Sequence, residues 1–426
     1  MCYVHIIHET SNKVNAIHLR ERGVPKMKSP AHQPMIHSIQ TREQLEEIYD
    51  ILDQLFPVGR AFFQERLDHD STYDPATTWA ATIDGKIAST IQLFPFHARI
   101  EDCSVKIGGI GSVGTLPEYR GQGLSQGILK AQVEWMAEQQ YDLSLLFAII
   151  TPFYEKAGWN VVPETAYEWT VAPVEAKDAE QYSIEAFDLS DLGAMKTIYE
   201  QFNATRTFTV IRPEAFWTDQ LSWPRWRSTI TLIAKHGGQA VAYGQISSAN
   251  EGKAYLEELC YLPGHESAVA PLFLELVKNR PEATHIIAKL PADHALLESY
   301  RQWGAQQTTM TYSMWKIIRL QPMLAKLSPL FSRRLTSRPE LVKDGLYVHL
   351  TCEGQHAYLH FGNGTASVYD QPGADVPYTE LAIHQKDLVA LLFQGVNEST
   401  PQELRTDLIE ALFPPQHSVF YLTDKF

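Results

Sequence analysis

Cysteine is scarce in this 426-residue sequence, and the four cysteines stand far apart. Cys2, Cys103, Cys260 and Cys352 form no Cys-x-x-Cys pair, so the sequence predicts neither a structural zinc site nor a disulfide framework. No apolar run approaches the ~20 residues that span a bilayer, and the N-terminal residues lack the basic-then-apolar pattern of a secretory signal. We therefore expect a soluble, cytoplasmic protein with no bound metal and no membrane partner.

Basic residues are also fewer than acidic residues. The chain carries 36 Lys and Arg against 50 Asp and Glu, a formal net charge of −14. Nucleic-acid binding needs clustered basic residues, so we expect no nucleic-acid partner. A negative field attracts cations over long distances, which favours a cationic small molecule as ligand. With 44% hydrophobic residues, a chain of this length should form several domains, each with its own core.

The most informative stretch runs from Val113 to Trp159. A strand ends near Val113, and a glycine-rich turn, Arg120–Ser125 (Arg-Gly-Gln-Gly-Leu-Ser), leads into a helical pattern over 124–140. Helix N-termini expose unpaired backbone N–H groups and a partial positive charge. Glycine lets an anion approach those groups closely, so the turn predicts a pyrophosphate cradle.

A second glycine pattern lies just upstream and is expected to be accidental. Residues 109–114 (Gly-Ile-Gly-Ser-Val-Gly) match the G-x-G-x-x-G dinucleotide fingerprint. That fingerprint requires a helix to open at the glycines, and Pro117 does not fit the interior of such a helix.

The Val113–Trp159 stretch resembles the GNAT N-acetyltransferases. Their signature, Arg/Gln-x-x-Gly-x-Gly/Ala, is matched by Arg120 and Gly123, with Ser125 in the last position. The resemblance implies acetyl-CoA as co-substrate. The residues that it assigns to acetyl-CoA binding are Val113, Gly114, Thr115, Gly121, Gln122, Gly123, Leu124, Ser125, Gln126, Ile149 and Ile150.

The chain repeats itself at a constant offset. Leu116, Tyr154, Gly158 and Trp169 recur as Leu262, Tyr300, Gly304 and Trp315, each 146 residues later. The repeat predicts a duplicated GNAT-like fold. At that offset the signature residues become Glu266, Val269 and Pro271. Because an acid repels pyrophosphate, we expect the second copy to bind no CoA.

A third segment follows, with strand patterns at 346–351, 356–361 and 366–369, helical patterns at 384–394 and 401–412, and an apolar final strand at 418–426. The domain order resembles the Eis family of acetyltransferases, whose third domain is like sterol carrier proteins. The resemblance implies an α/β (α+β) fold: two tandem GNAT-like domains with mixed central sheets and flanking helices, then a small α+β domain. The expected domains are an N-terminal extension (1–34), a GNAT domain (35–173), a degenerate GNAT-like domain (174–318) and a sterol-carrier-protein-like domain (319–426). The resemblance to the Eis family also implies that the protein is a homo-oligomer, namely a hexamer.

The resemblance assigns catalytic roles to two residues. Tyr154 stands where GNAT enzymes hold a general acid, and the carboxylate of the last residue, Phe426, stands where the Eis family holds its base. If the base lies elsewhere, Glu65, Asp68 and Asp70 are next in line. The segment 62–70 is expected to be a loop that walls the acceptor pocket, and residues 223–226 (Trp-Pro-Arg-Trp) to add either pocket walls or core packing.

Three functions are compatible with the sequence. The first is acetyl transfer to a primary amine, with a cationic acceptor such as an aminoglycoside, a polyamine or a lysine side chain. The second is an acyltransferase with another acyl donor or a peptide or protein acceptor. The third is a lipid- or sterol-binding carrier, suggested by the third segment alone. An intact CoA cradle in the first unit argues against a pure carrier.

Overall fold

The computed structural model describes residues 33–175, 179–342, 345–362, 364–373 and 376–426. The predicted extension, 1–34, lies outside the described residues except for its last two positions. Within these ranges the chain forms a mixed α/β structure with three sheets, so the predicted fold class is confirmed. None of the helices in the described ranges combines the length and apolarity needed to cross a membrane.

The first sheet has eight strands in the order β1-β2-β3-β4-β5-β15-β6, and β9 pairs with β3 beside this path. Its strands are β1 (Met35–Ser38), β2 (Thr78–Ile83), β3 (Lys86–Ile100), β4 (Cys103–Thr115), β5 (Leu143–Phe147), β6 (Asn160–Val161), β9 (Thr207–Ile211) and β15 (Ser313–Ile317). Its helices are α1 (Arg42–Leu55), α2 (Arg60–Asp68), α3 (Leu124–Glu138) and α4 (Thr151–Glu155).

Local sequence signals account for these elements. Thr41 caps α1 in a capping box with Gln44, as its position before early acids predicts. Asp84 and Gly85 both have positive φ and close the hairpin between β2 and β3, which is the geometry that an Asp-Gly turn favours. The β2–β3 hairpin and the helices α1 and α3 were all predicted from the sequence, and the structure confirms them.

The second sheet has seven strands in the order β14-β7-β13-β12-β11-β10-β8. They are β7 (Glu164–Thr170), β8 (Ser183–Ala186), β10 (Thr229–His236), β11 (Gln239–Ser247), β12 (Lys253–Tyr261), β13 (His285–Ala288) and β14 (Gln306–Met310). The accompanying helices are α5 (Leu192–Asn203), α6 (Glu214–Asp219), α7 (Pro224–Ser228), α8 (Val269–Lys278) and α9 (Leu296–Trp303).

The two sheets exchange one strand each. β7 comes from the first repeat but lies between β13 and β14, and β15 comes from the second repeat but lies between β5 and β6. Trp169 on β7 and Trp315 on β15 are equivalent in the repeat and are both buried. The strand that precedes each predicted boundary, at 173 and at 318, thus completes the sheet of the other unit.

The third sheet has the order β18-β17-β16-β19. Its strands are β16 (Leu346–Cys352), β17 (Gln355–Gly362), β18 (Thr365–Tyr369) and β19 (Thr379–Ala382), and its helices are α10 (Leu320–Lys326), α11 (Ser328–Leu335), α12 (Gln385–Gln394) and α13 (Asp407–Leu412). The three predicted strands are confirmed.

The predicted final strand is wrong. Residues 418–426 contribute only an isolated bridge between Ser418 and Thr207 and a single 3₁₀ turn, Leu422–Asp424. Phe420 packs into the core beside the first sheet, whereas Val419 and Tyr421 pack into the core of the second. The segment therefore runs between two units and pairs with no strand along its length.

Candidate active site

A gap opens in the first sheet where β4 and β5 separate. The two strands pair in parallel from Ile107 and Leu143 to Ile110 and Leu146. β4 then continues to Thr115 while β5 ends at Phe147. Beyond Ile110, β4 is paired only with β3 among the described residues. No strand covers its other edge at Val113, Gly114 and Thr115, although the Gly114 and Thr115 carbonyls accept side-chain hydrogen bonds from Ser89 and Arg120, so an extended ligand can approach this edge.

The edge of β4 is also bent by a bulge. Gly111 pairs with Gln92 and Gly114 with Thr90, so Ser112 and Val113 together face Ile91. Ser112 has φ +50°, a left-handed conformation that is uncommon outside glycine. Bulges of this kind redirect backbone groups and are frequent beside active sites. Sequence reasoning missed Ser112, because a serine within a glycine-rich strand carries no distinctive pattern.

The glycine-rich turn has the conformation that a cradle needs. Gly121 and Gly123 have φ +77° and +78°, and a Cβ at either position would meet no heavy atom within 4 Å. Glycine is thus required by the backbone, and the space in front of it is open. Helix α3 starts at Leu124 without a side-chain cap. Within the described part of the chain, the amides of residues 121–126 have no hydrogen-bond acceptor, so this helix end can bind an anion.

The cradle side chains hold the turn in shape. The Ser125 hydroxyl lies 2.7 Å from that of Thr115 and 3.1 Å from that of Ser89. Arg120 Nε donates to the Thr115 carbonyl at 3.2 Å. Leu124 is buried, whereas Gln122 is exposed. Ser125, the imperfect match to the signature, therefore ties the end of β4 to the start of α3 and leaves its backbone amide to face the cradle.

Gln126 links the cradle to the tyrosine that was predicted as general acid. Its Nε2 donates to the Phe153 carbonyl at 2.8 Å, on the one-turn helix that carries Tyr154. The Tyr154 ring meets Phe153 edge-on at 4.9 Å, and its hydroxyl has no hydrogen-bond partner among the described residues. Burial raises the pKa of Tyr154 above its ordinary value, so the phenol stays protonated at neutral pH.

Ile149 and Ile150 connect β5 to this helix. Their side chains are 39% and 54% exposed, which is unusual for isoleucine beside a core. They lie directly after the strand that forms one side of the gap, where the sequence predicted that they line it.

The aromatic ring of Phe426 packs into the core on one face of the first sheet, and Tyr154 packs against the core on the opposite face. The Phe426 ring stacks on Phe94 with ring centroids 5.3 Å apart and contacts Phe147 at 5.5 Å. A Cβ on Gly109 would lie 2.4 Å from the Phe426 ring, and one on Gly111 would lie 2.9 Å from Phe94. The glycines of the accidental fingerprint thus make room for the C-terminal residue, next to the point where β4 leaves β5.

Residues of the second unit hold the C-terminal segment in place. The fully buried Arg212 donates to the Asp424 carboxylate at 2.8 and 3.0 Å and also pairs with the buried Glu258. Arg225 donates to Glu257 at 2.7 Å and to the carbonyl of Leu422. Sequence reasoning missed this clamp, since Arg212 and Asp424 are far apart in the chain and neither stands in a motif.

An open cleft lies beside Phe426. It is lined by α1 and α2 of the first unit, by the bulge residue Ser112, by residues 223–225 of the second unit, and by Thr423, Lys425 and Phe426. The segment 62–70 was predicted as a loop and is instead mostly helix α2, because its apolar residues pack on α1. Phe62, Phe63, Arg66 and Leu67 of this segment line the cleft.

The alternative bases of this segment are engaged elsewhere. Asp68 accepts two hydrogen bonds from Arg42, and this guanidinium lowers the pKa of Asp68 to about 2. Glu65 pairs with Arg227, and Asp70 pairs with Arg66 at 2.9 Å. None of the three acids lines the cleft.

The equivalent of the cradle in the second unit is closed. Glu266 accepts a hydrogen bond from the Gly264 amide at 3.1 Å, so an internal carboxylate already occupies the turn. Val269, in place of the signature glycine, is buried at the start of α8. Pro271 has no N–H to offer.

Comparison with known families identifies the first unit. The family model for an acetyltransferase (GNAT) domain matches residues 37–162. Residues 37–162 therefore form a GNAT acetyltransferase domain. This domain contains the cradle, the bulge, the gap and Tyr154, and it makes the protein an acetyltransferase.

Solved structures show the same fold over most of the chain. A conserved protein of unknown function from Enterococcus faecalis V583, described as a probable N-acyltransferase, has 17% sequence identity and a TM-score of 0.67, covering 91% of this chain and 97% of its own. A GCN5-related N-acetyltransferase from Anabaena variabilis has 16% identity and a TM-score of 0.66, covering 91% and 98%. Eis1 from Mycobacterium abscessus has 13% identity and a TM-score of 0.61, covering 92% and 100%. A comparison with curated protein sequences found no match.

Proposed function

We propose that the protein transfers the acetyl group of acetyl-CoA to a primary amine that is cationic at neutral pH, such as an aminoglycoside, a polyamine or a lysine side chain. The observation that carries this proposal is the position of Phe426. Phe426 packs against Gly109 and Gly111 of β4, in a cleft that reaches the bulge at Ser112. The same strand leads into the glycine cradle.

The binding roles follow from the groups that are unpaired. The amides of residues 121–126 would hold the pyrophosphate, and the free edge of Val113, Gly114 and Thr115 would pair with the pantetheine. Ile149 and Ile150 would flank the pantetheine on the β5 side. A backbone N–H of the bent edge would donate to the carbonyl oxygen of the thioester, where negative charge develops during attack.

The two proton transfers are assigned to groups on opposite faces of the sheet. The α-carboxylate of Phe426 would take the proton of the ammonium, directly or through water, so that the neutral amine attacks the thioester carbonyl. The new C–N bond forms as the C–S bond breaks, and Tyr154 would donate its proton to the departing thiolate. The second proton that the nitrogen loses as the amide forms would return to the Tyr154 phenolate through water. Phe426 belongs to the core on one face, whereas Tyr154 packs against the core on the other. The gap between β4 and β5 joins the two faces.

We also propose the organisation that the Eis resemblance implies. The units are 35–173, 174–318 and 319–426, the third is like sterol carrier proteins, and the assembly is a cytoplasmic hexamer. The strand exchange between the first two sheets supports a fixed pairing of those units. Analytical ultracentrifugation of the full chain tests the assembly, and a monomer at micromolar concentration would contradict it.

The activity is tested with radiolabelled acetyl-CoA and a panel of amines, beside a fluorescent-sterol binding assay. Transfer of label to an amine supports the proposal. Transfer only to a protein lysine, or only from another acyl-CoA, would favour the second function. Sterol binding without any acyl transfer would favour a carrier.

We predict one CoA site per chain. The cradle of the first unit is open, while its counterpart is closed by Glu266 and Val269. Isothermal titration calorimetry should therefore give a stoichiometry of one. A stoichiometry of two would show that the second unit binds CoA in spite of Glu266.

Gly123→Asp should weaken CoA binding by roughly 30-fold, about 2 kcal/mol, since it places a carboxylate against the phosphates and strains a left-handed backbone. Gly304→Asp is the matched control. Gly304 is the cap of α9, has the same φ of +78°, and also has open space around its Cβ position. It lies in the unit without a cradle. Equal CoA affinity in both variants would mean that the cradle is elsewhere.

A further inference from the structure

The acceptor cleft has an aromatic lining. Five of its lining residues carry aromatic rings: Phe62, Phe63, Phe94, Trp223 and Phe426. Three aliphatic side chains from α1 and α2 lie beside them, together with five neutral polar side chains: Thr78, Thr90, Gln92, Ser112 and Thr423. Such a surface gains free energy by excluding water from an apolar ligand.

The ionisable side chains of the lining are all basic. They are Arg66, Arg225 and Lys425, and no acidic side chain lines the cleft within the described residues. Arg66 lies over the Trp223 ring at 3.7 Å and pairs with Asp70. Arg225 pairs with Glu257, whose side chain is 1% exposed. The acids that balance these arginines are thus committed to ion pairs and do not line the cleft.

Lys425 adds no carboxylate partner either. Its Nζ lies over the rings of Tyr312 and Phe147, at 4.1 and 4.7 Å. Burial, together with the charges of Lys289 and Arg225, lowers the pKa of Lys425 well below its ordinary value. Under the proposed function, the carboxylate that meets the amine is the α-carboxylate of Phe426.

These groups set the number of ammonium ions that the cleft accepts. One ammonium can meet the terminal carboxylate. A second or third ammonium on the same molecule would lie near Arg66 and Arg225 with no acidic side chain of the lining to pair with, and an unpaired buried charge is costly. The net charge of the whole chain attracts cations towards the surface but does not alter this local balance.

We propose that the acceptor is a monoamine with an aromatic or branched aliphatic body, selected over polyamines and aminoglycosides. The amine nitrogen would face the Phe426 carboxylate, and the body would pack on the aromatic wall that includes Trp223 and Phe62. This inference rests on the proposed acetyl transfer and replaces the polyamine and aminoglycoside acceptors named there by a monoamine.

The test compares kcat/KM for 2-phenylethylamine, spermidine and kanamycin at saturating acetyl-CoA. We expect 2-phenylethylamine to be favoured over both by at least tenfold. Equal or higher kcat/KM for spermidine or kanamycin would overturn the inference and leave the proposed function intact. If none of a wide panel of amines is acetylated, the proposed function fails, and this inference fails with it.

A pair of tryptophan variants locates the selectivity. Trp223→Ala should raise KM for 2-phenylethylamine by about tenfold with a smaller change in kcat, and should leave KM for methylamine nearly unchanged. Trp226→Ala is the matched control, because Trp226 is on the same short helix but packs on Phe187. Equal KM changes in both variants would place the aromatic wall elsewhere. Circular dichroism melting of each variant separates a binding effect from a loss of fold.

A charge variant tests the second half of the argument. Arg66→Gln removes one positive charge from the lining. It should raise the ratio of kcat/KM for spermidine to that for 2-phenylethylamine by several-fold. An unchanged ratio would show that Arg66 does not exclude polycations.

Discussion

Replacing Tyr154 by phenylalanine should lower the single-turnover rate of acetyl transfer by roughly 10²- to 10³-fold, the effect expected for loss of a general acid. Acetyl-CoA affinity should change little. The ring keeps its edge-on contact with Phe153. Because no hydrogen bond to the Tyr154 hydroxyl is present among the described residues, its removal leaves no partner unsatisfied. Rapid-quench measurement with 2-phenylethylamine and acetyl-CoA provides the rate.

The repeat supplies a matched control. Tyr300 is the equivalent residue of the second unit, it is buried, and its hydroxyl also has no hydrogen-bond partner. Burial raises the pKa of Tyr300 as it does that of Tyr154. Tyr300→Phe should therefore leave the rate unchanged. A near-normal single-turnover rate for Tyr154→Phe would reduce Tyr154 to a packing residue.

The parts of the site that could be predicted from sequence are those encoded by local backbone rules. Gly121 and Gly123 occupy left-handed positions that other residues avoid, and the apolar spacing after them specifies a helix. In the same way, Thr41 predicts the start of a helix and the Asp84-Gly85 turn predicts a hairpin. Each of these signals acts over a few residues and does not depend on the rest of the fold.

The strand exchange could not be predicted in the same way. β7 and β15 occupy equivalent positions in the repeat, and each presents a buried tryptophan, Trp169 or Trp315. The residue patterns of β7 and β15 are equally compatible with a place in the first sheet and with a place in the second sheet. The choice depends on contacts between segments that are far apart in the chain.

The final segment was mispredicted for a related reason. An apolar run such as 418–426 is typical of a strand, but here its apolar side chains divide between two cores. The room for Phe426 is provided by Gly109, more than 300 residues upstream. In the sequence, Gly109 is recognisable only as part of the accidental G-x-G-x-x-G match, and nothing near it in the chain indicates that it contacts Phe426.

Adding residues after Phe426, or converting its carboxylate to an amide, should depress turnover at neutral pH by roughly 10²-fold or more, as expected for loss of a general base. Amidation by protein ligation is the cleaner change, since it removes the charge and keeps the ring. The ring fills the space above Gly109 and stacks on Phe94, so the melting temperature should stay close to that of the unmodified chain. CoA affinity, measured by calorimetry, should also be retained.

Two comparisons separate the carboxylate from the segment that carries it. Phe426→Leu keeps the charge and a large apolar side chain, so it should lose much less activity than the amide. Asp424→Asn weakens the contact with Arg212, so it should lower kcat by letting the end of the chain move, while the carboxylate remains. If the amidated enzyme acetylates its best amine at the native rate, the base is another group. Glu65, Asp68 and Asp70 would then have to leave their ion pairs with Arg227, Arg42 and Arg66 to serve.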